Sequence, residues 1–193
     1  KIGQFFFPAV FINDTEENIQ ATEALIRNYN IGGLTFFHSR ASAATNYESK
    51  QKVVTYEDSY AKLKELIVRY QKCAPTPLLM SIDAEWGLSM RLDSTYRYPW
   101  NMTLGAIKDL NLIKNVGEIM GKESRRMGVH FNFAPVLDIN TNPKNPIIGN
   151  RSFGENKFNV TEKAIALMKR CHNIFVNILN IQIKLLKIIS KEK

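Results

Sequence analysis

Four times along the chain a short apolar run gives way to a segment with apolar residues every three or four positions. Residues 3–10 make the first run, broken at Pro8 and followed by Asn13-Asp14. Residues 17–29 follow as a helix with Ile19, Ala21, Leu25, Ile26 and Tyr29 on an inner face. Gly32-Gly33 ends it and opens a second strand, Leu34-Thr35-Phe36-Phe37. A helix over 55–71 turns Tyr60, Leu63, Leu66, Ile67 and Tyr70 inward, and Thr55 with Asp58 loosely fits a capping box. Pro75-Thr76-Pro77 stops it before a third strand at 78–82. Asp109 caps a helix running through 126, with Leu110, Ile113, Val116, Gly117 and Met120 inward and Gly128 at its close. Residues 130–136 read as a fourth strand that lets His130 and Asn132 face a barrel interior or one side of a sheet; residues 160–168 begin a fourth helix. This repeated order predicts an α/β fold of parallel strands with right-handed crossovers. It leaves a doubly wound sheet and a barrel both open. No glycine-rich dinucleotide fingerprint follows the first strand, and no phosphate-binding loop is present, which argues against nucleotide chemistry.

The chemistry gathers after the third strand. Its apolar run ends in Asp83-Ala84-Glu85-Trp86-Gly87, with Arg91 close behind. Residues two apart on a strand point the same way, so Asp83 and Glu85 share one rim if the strand reaches that far. The carboxyl end of a buried strand is where such folds keep their chemistry. The competing structural reading is a polar turn with Glu85 paired to Arg91. Both carboxylates also suit a retaining glycosidase pair, which needs a separation of about 5–5.5 Å. Against this, they lie on one short segment, whereas nucleophile and acid normally come from different elements. His38, Ser39 and Arg40 end the second strand; they can line a pocket, although a lone histidine there is more often a hydrogen-bonded structural residue. Residues 41–51 make a polar loop. Trp86 and Trp100 can stack on a ligand ring or cap the core. Asp138 follows the fourth strand, and a long Asn/Pro loop leads to Arg151-Ser152-Phe153-Gly154-Glu155. Arg151 suits an anion or a sugar hydroxyl, or else a surface salt bridge to Glu155.

Composition excludes several classes. The chain has 193 residues, 45% hydrophobic and 23% charged, enough for one sizeable core. Its charge of +8 is scattered apart from Lys184, Lys187, Lys191 and Lys193, so no nucleic-acid partner is expected. Cys73 and Cys171 are far apart and indicate neither a metal pair nor a disulfide framework. No run approaches the about 20 apolar residues of a membrane span. No signal peptide is visible, and the chain opens on Lys1 without an initiator Met, so its true start reads as missing. Periplasmic, secreted and cytoplasmic locations stay open.

Five motifs occur in one order: Lys1-Ile2-Gly3-Gln4, Tyr29-Asn30-Ile31-Gly32-Gly33, Asp83-Ala84-Glu85-Trp86-Gly87 with Arg91, Phe133-Ala134-Pro135-Val136-Leu137-Asp138, and Arg151-Ser152-Phe153-Gly154. Together they resemble the amino-terminal barrel domain of family 3 glycoside hydrolases, in particular its β-N-acetylhexosaminidase branch. The resemblance implies a (β/α)₈ TIM barrel, of which this chain holds about the first four βα units, and a retaining mechanism through a covalent glycosyl-enzyme. It implies that Asp83 holds hydroxyls of the terminal sugar, and that Arg91 and Arg151 are further sugar ligands. Glu85, Trp86 and Asp138 are supporting residues. Trp86 stands where the family usually has Gly, which reshapes the entrance or adds a stacking surface. No cofactor or metal is implied. The carbohydrate substrate is most simply a terminal β-linked N-acetylglucosaminide; a β-glucosidase and a non-catalytic sugar-binding fragment are the alternatives.

The family nucleophile is an aspartate much farther along, and its acid/base in this branch is a histidine in a later loop. Neither has a counterpart here, and His172 matches no family histidine. Residues 1–172 therefore read as the first part of the barrel, with little or no hydrolase activity expected alone. Residues 173–193 contain no Gly, Pro or Asp and are rich in Ile, Asn and Lys. That composition suits an out-of-frame reading of AT-rich coding sequence, or an authentic basic helix with Ile174, Ile178, Ile181, Leu185 and Ile188 on one face. Half a barrel leaves open edges, so an isolated monomer is expected to be marginal or poorly folded; the alternatives are that the Ile-rich tail covers the open half or that two chains pair through the edges.

Overall fold

The computed structural model describes residues 2–39 and 55–171. Four strands, β1 (Ala9–Asn13), β2 (Gly33–Ser39), β3 (Leu79–Ile82) and β4 (Phe131–Asn132), form one sheet. Helices α1 (Glu16–Tyr29) and α2 (Ser59–Cys73) follow β1 and β2; a short α3 (Asn101–Gly105) and a long α4 (Leu110–Met127) follow β3; and α5, residues 157–171, follows β4. Every pairing is parallel and the spatial order is β1-β2-β3-β4. Successive strands are neighbours throughout, without the reversal that defines a doubly wound sheet. This is the progression of a TIM barrel, taken through four βα units.

The strand alternation sets two surfaces. Val10, Ile12, Leu34, Phe36, Met80 and Ile82 pack with Ile19, Ile26, Leu63, Leu66 and Tyr70 of the helix layer in one buried cluster. Alternate residues face the other way, toward the barrel axis. There Phe11 and Phe37 lie 6.3 Å apart, and the Thr35 and Ser81 hydroxyls are 2.9 Å apart. A second cluster joins Leu104, Ile113, Met120, Phe153, Val160, Ala164 and Leu167. Gly117 lets α4 approach α5 closely, since a Cβ there would collide with the Leu167 carbonyl. Gly117→Ala gains about 1 kcal/mol of helix propensity, yet it should lower stability by about 1–3 kcal/mol through overpacking. Urea denaturation reads the sign, and a stabilised variant would contradict the close helix approach.

Several elements differ from the sequence reading. The first strand lies not at 3–10 but at Ala9–Asn13, after Pro8. Pro8 has no N–H for a ladder. The residues before it instead make a 3₁₀ turn, Ile2–Phe5, whose neighbourhood receives Gly32 N–H at the Gly3 and Phe6 carbonyls, 3.2 Å each. Thr55 and Asp58 make no capping box. The helix begins at Ser59, Asp58 makes no side-chain cap bond, and the Ser59 hydroxyl accepts from Asp93 N–H at 3.0 Å. Asp109 does cap α4 through Asn111 N–H at 2.9 Å, and Gly128 ends it at φ 95°. The fourth strand shortens from 130–136 to two residues because β3 ends at Ile82, whose carbonyl accepts the last ladder bond from Phe133 N–H. Phe131 and Phe133 take the axial side of β4 and are exposed, as are Leu137 and Ile147 beyond it. Asn132 is buried on the opposite side. No helix among the described residues is long and apolar enough to cross a membrane. Arg40, the polar loop at 41–51, His172 and the tail at 173–193 lie outside the described residues.

Candidate functional site

Asp83 is the first residue past β3, and by alternation it continues the axial side carried by Ser81. Beyond Glu85 the chain turns at Gly87, whose φ of 85° favours glycine. A Cβ there would also lie 2.6 Å from the Tyr98 ring. A 3₁₀ turn at Leu88–Met90 completes the reversal and returns Arg91 to the start of the segment. Arg91 Nε donates to the Asp83 carbonyl at 2.9 Å and Nη2 to Asp83 Oδ2 at 3.1 Å. Its guanidinium lies 4.6 Å from the Phe37 ring centre on β2. Arg91 is thus held by a backbone, a carboxylate and an aromatic face.

Glu85 is 3% exposed and belongs to a different arginine. Arg151 Nε donates to Oε1 and Oε2 at 3.1 and 3.0 Å, and Nη2 donates to Oε1 at 2.6 Å. Both salt-bridge readings from sequence are therefore corrected: Glu85 does not pair with Arg91, and Arg151 pairs with Glu85 rather than Glu155. The turn at Gly87 carries Arg91 back to Asp83, and the long loop after β4 brings Arg151 across to Glu85. Burial lifts the Asp83 carboxyl above its ordinary range. Arg91 opposes that lift, Glu85 adds to it, and Arg151 opposes it. Asp83, Glu85, Arg91 and Arg151 therefore act on one another as a charged quartet. The Asp83 side chain keeps 28% of its surface exposed, so it is the carboxylate with access to solvent; that of Glu85 keeps 2%.

The Arg151 loop is clamped by α3, which the sequence reading missed. Asn101 Nδ2 donates to the Arg151 carbonyl at 2.8 Å. Gly105 admits the Phe153 carbonyl, which a Cβ would strike. Asn159 Nδ2 then donates to the Gly105 and Phe153 carbonyls, 3.2 Å each. A helical Gly in an apolar stretch was the available signal; Asn101 had none. Asp138 contributes through its backbone, accepting from the Ser152 hydroxyl at 2.5 Å, while the residue itself is exposed. Trp86 and Trp100 pack against each other at 4.3 Å, with the Arg97 guanidinium 5.6 and 4.7 Å from their rings. Neither belongs to the buried core clusters. His38 is hydrogen-bonded, as the structural reading has it: its Nε2 lies 2.8 Å from Asp93 Oδ2.

Parallel βα units with carboxylates and arginines gathered past the carboxyl end of a strand define a segment of a (β/α)-barrel protein with its polar site at the usual mouth. The chain belongs to glycosyl hydrolase family 3: the family's N-terminal domain matches residues 1–181. Beta-hexosaminidase A of Pseudoalteromonas piscicida is 32% identical over 151 residues, covering 75% of this chain and 23% of that protein. The beta-N-acetylglucosaminidase/beta-glucosidase of Cellulomonas fimi is 28% identical over 154 residues, covering 80% of this chain and 23% of that one. The family 3 beta-N-acetylglucosaminidase from Paenibacillus sp. str. FPU-7 superposes with a TM-score of 0.71 at 29% identity, over 90% of this chain and 30% of that structure. The chain spans less than a third of each of these proteins.

Proposed function

We propose that this chain supplies the sugar-holding part of a retaining glycosidase that acts on terminal β-linked sugars, with N-acetylglucosaminides as its substrate class. The carrying observation is the Asp83–Arg91 unit: a carboxylate that is mostly buried yet solvent-accessible, fixed through its side chain and its carbonyl by one arginine. An ionised carboxylate accepts from sugar hydroxyls, and guanidinium groups donate to them. Such charge-assisted bonds are short and directional. Asp83 is the acceptor, with Arg91 and Arg151 as donors. Glu85 holds Arg151 in place, and Asp138 fixes the Ser152 end of that loop through its carbonyl. Trp86, packed on Trp100, is a supporting residue beside this segment.

Covalent glycoside hydrolysis also needs a nucleophile and a proton donor on opposed sides of the bond. Asp83 and Glu85 lie two residues apart on one segment and each is paired with an arginine, so they do not supply that opposed pair. Residues 1–172 are proposed as the barrel part alone, and 173–193 as a separate tail. β1 and β4 are the outer strands of the sheet among the described residues, and their edges are the proposed surfaces for any self-association.

The relative from Cellulomonas fimi, named for both activities, keeps glucosides as the second reading. Titrating the chain with N-acetylglucosamine and with glucose separates the two. Tighter N-acetylglucosamine binding with no arylglycoside turnover is expected. Preference for glucose would move the substrate class to β-glucosides. Turnover by the chain, lost in Glu85→Gln, would overturn the division of roles.

A further inference from the structure

Two consecutive residues of β2 hold two alternate residues of the loop after β3. Phe37 lies against the Arg91 guanidinium, and His38 lies against Asp93. His38 is 8% exposed, with Nε2 at 2.8 Å from Asp93 Oδ2 and Nδ1 at 3.2 Å from the Ser39 hydroxyl. An ionised carboxylate only accepts, so Nε2 carries the proton it donates to Asp93, and in the neutral ring Nδ1 accepts from Ser39. The same Asp93 oxygen accepts from Tyr56 N–H at 2.7 Å, and the Tyr56 ring meets the imidazole edge-on at 5.5 Å. Asp93 N–H donates to the Ser59 hydroxyl, and the Ser94 hydroxyl donates to the Glu57 carbonyl at 2.8 Å.

These bonds divide into two sets. Those to Tyr56, Glu57 and Ser59 tie residues 93–94 to the start of α2, in the outer layer. The bond to His38 ties Asp93 to the end of β2, at the barrel mouth. Arg91 is two residues upstream, and two residues span at most about 7 Å of chain. Fixing Asp93 at the mouth therefore confines the backbone from which Arg91 crosses Phe37 and reaches Asp83.

We infer that His38 is a positioning residue for the sugar site: through Asp93 it sets the loop that lays Arg91 on Asp83. This rests on the proposed role of Asp83 and Arg91 in holding the sugar. Without His38, the guanidinium must be ordered when the ligand arrives, and that ordering weakens binding. The cost should fall on Arg91 and on affinity, because the bond His38 makes goes to the loop residue Asp93 rather than to a residue of the apolar core.

The test uses the whole chain with ¹⁵N-labelled arginine, the Arg91 Nε–H signal being assigned from its loss in Arg91→Lys. In the native chain that proton is bonded to the Asp83 carbonyl and should exchange slowly. In His38→Ala its exchange should accelerate about tenfold and the N-acetylglucosamine Kd should rise about tenfold, the scale of one charge-assisted bond. His38→Gln, whose amide can replace the Nε2 donor, should restore both. Asp93→Ala should reproduce the His38→Ala change, and the double variant should be no worse than either single one. If His38→Ala does not fold, Asp93→Ala decides by the same two readings. An unchanged Arg91 exchange rate, or acceleration shared by the core backbone amides, overturns the inference. Failure of the native chain to bind N-acetylglucosamine removes the functional reading instead, and the Arg91 exchange rate still decides whether His38 positions it.

Discussion

Arg151→Met is expected to lower the unfolding free energy of this chain by about 3–5 kcal/mol, the cost of stranding a buried charge whose partner is removed. Glu85 is buried, and its two oxygens accept three bonds from Arg151. Methionine fills comparable space but donates nothing, so the carboxylate stays in the interior without that counter-charge. Arg151→Lys should be intermediate, since an ammonium neutralises the charge but cannot reproduce the planar fork that meets both oxygens. Replacing both partners with apolar residues of similar size should recover much of the loss. Urea denaturation measures each change. A loss below about 1 kcal/mol for Arg151→Met would class the pair with solvated surface bridges and remove its claim to hold the loop.

Asp83→Asn is expected to move stability and binding in opposite directions. Burial lifts the Asp83 carboxyl in the folded chain, so the native state holds this proton more tightly than the unfolded chain does. The contribution of Asp83 to stability is therefore full below its unfolded value and is lost as pH rises through the higher folded value. Asparagine cannot ionise. The stability of Asp83→Asn relative to the native chain should rise with pH across that window and level off above it. Binding of N-acetylglucosamine should fall by about tenfold or more, because a hydrogen bond to a charged group is worth about 1.5–3 kcal/mol. Paired urea titrations across the acidic range, with a ligand titration at neutral pH, read both effects. A relative stability that falls as pH rises would mean that the Arg91 bridge outweighs the desolvation of Asp83.

The alternation of strands and helices was legible because each element carries a local signal, whereas the choice of a barrel over a doubly wound sheet came with the family resemblance. α1 and α4 show the helical period with Asp109 and Gly128 marking the ends of α4, and β2 and β3 are short apolar runs bounded by Gly and Pro. The first strand misled because Phe5, Phe6 and Phe7 are apolar without being core. Phe5 and Phe6 are exposed where the segment crosses the amino ends of the strands, and only Pro8 hinted that pairing starts later. The Asp83–Arg91 contact spans only eight residues, yet spacing alone offered Glu85 as the partner of Arg91, and the turn at Gly87 decides for Asp83. The Glu85–Arg151 contact spans 66 residues, and nothing local says which arginine a buried glutamate will meet. The same holds for Asn101, whose amide finds the Arg151 carbonyl 50 residues away. Charge partners and loop clamps set by long-range packing leave little trace in spacing, whereas periodicity and caps are local.

The most direct test of the account is a crystal structure of the whole chain grown with N-acetylglucosamine. The account predicts the sugar past the carboxyl end of β3, with its hydroxyls within hydrogen-bond distance of the Asp83 carboxylate and the Arg91 and Arg151 guanidinium groups, and with Glu85 still holding Arg151. A sugar bound elsewhere, or one held with Asp83 and Arg91 turned away from it, would contradict the assignment of this quartet as the sugar site.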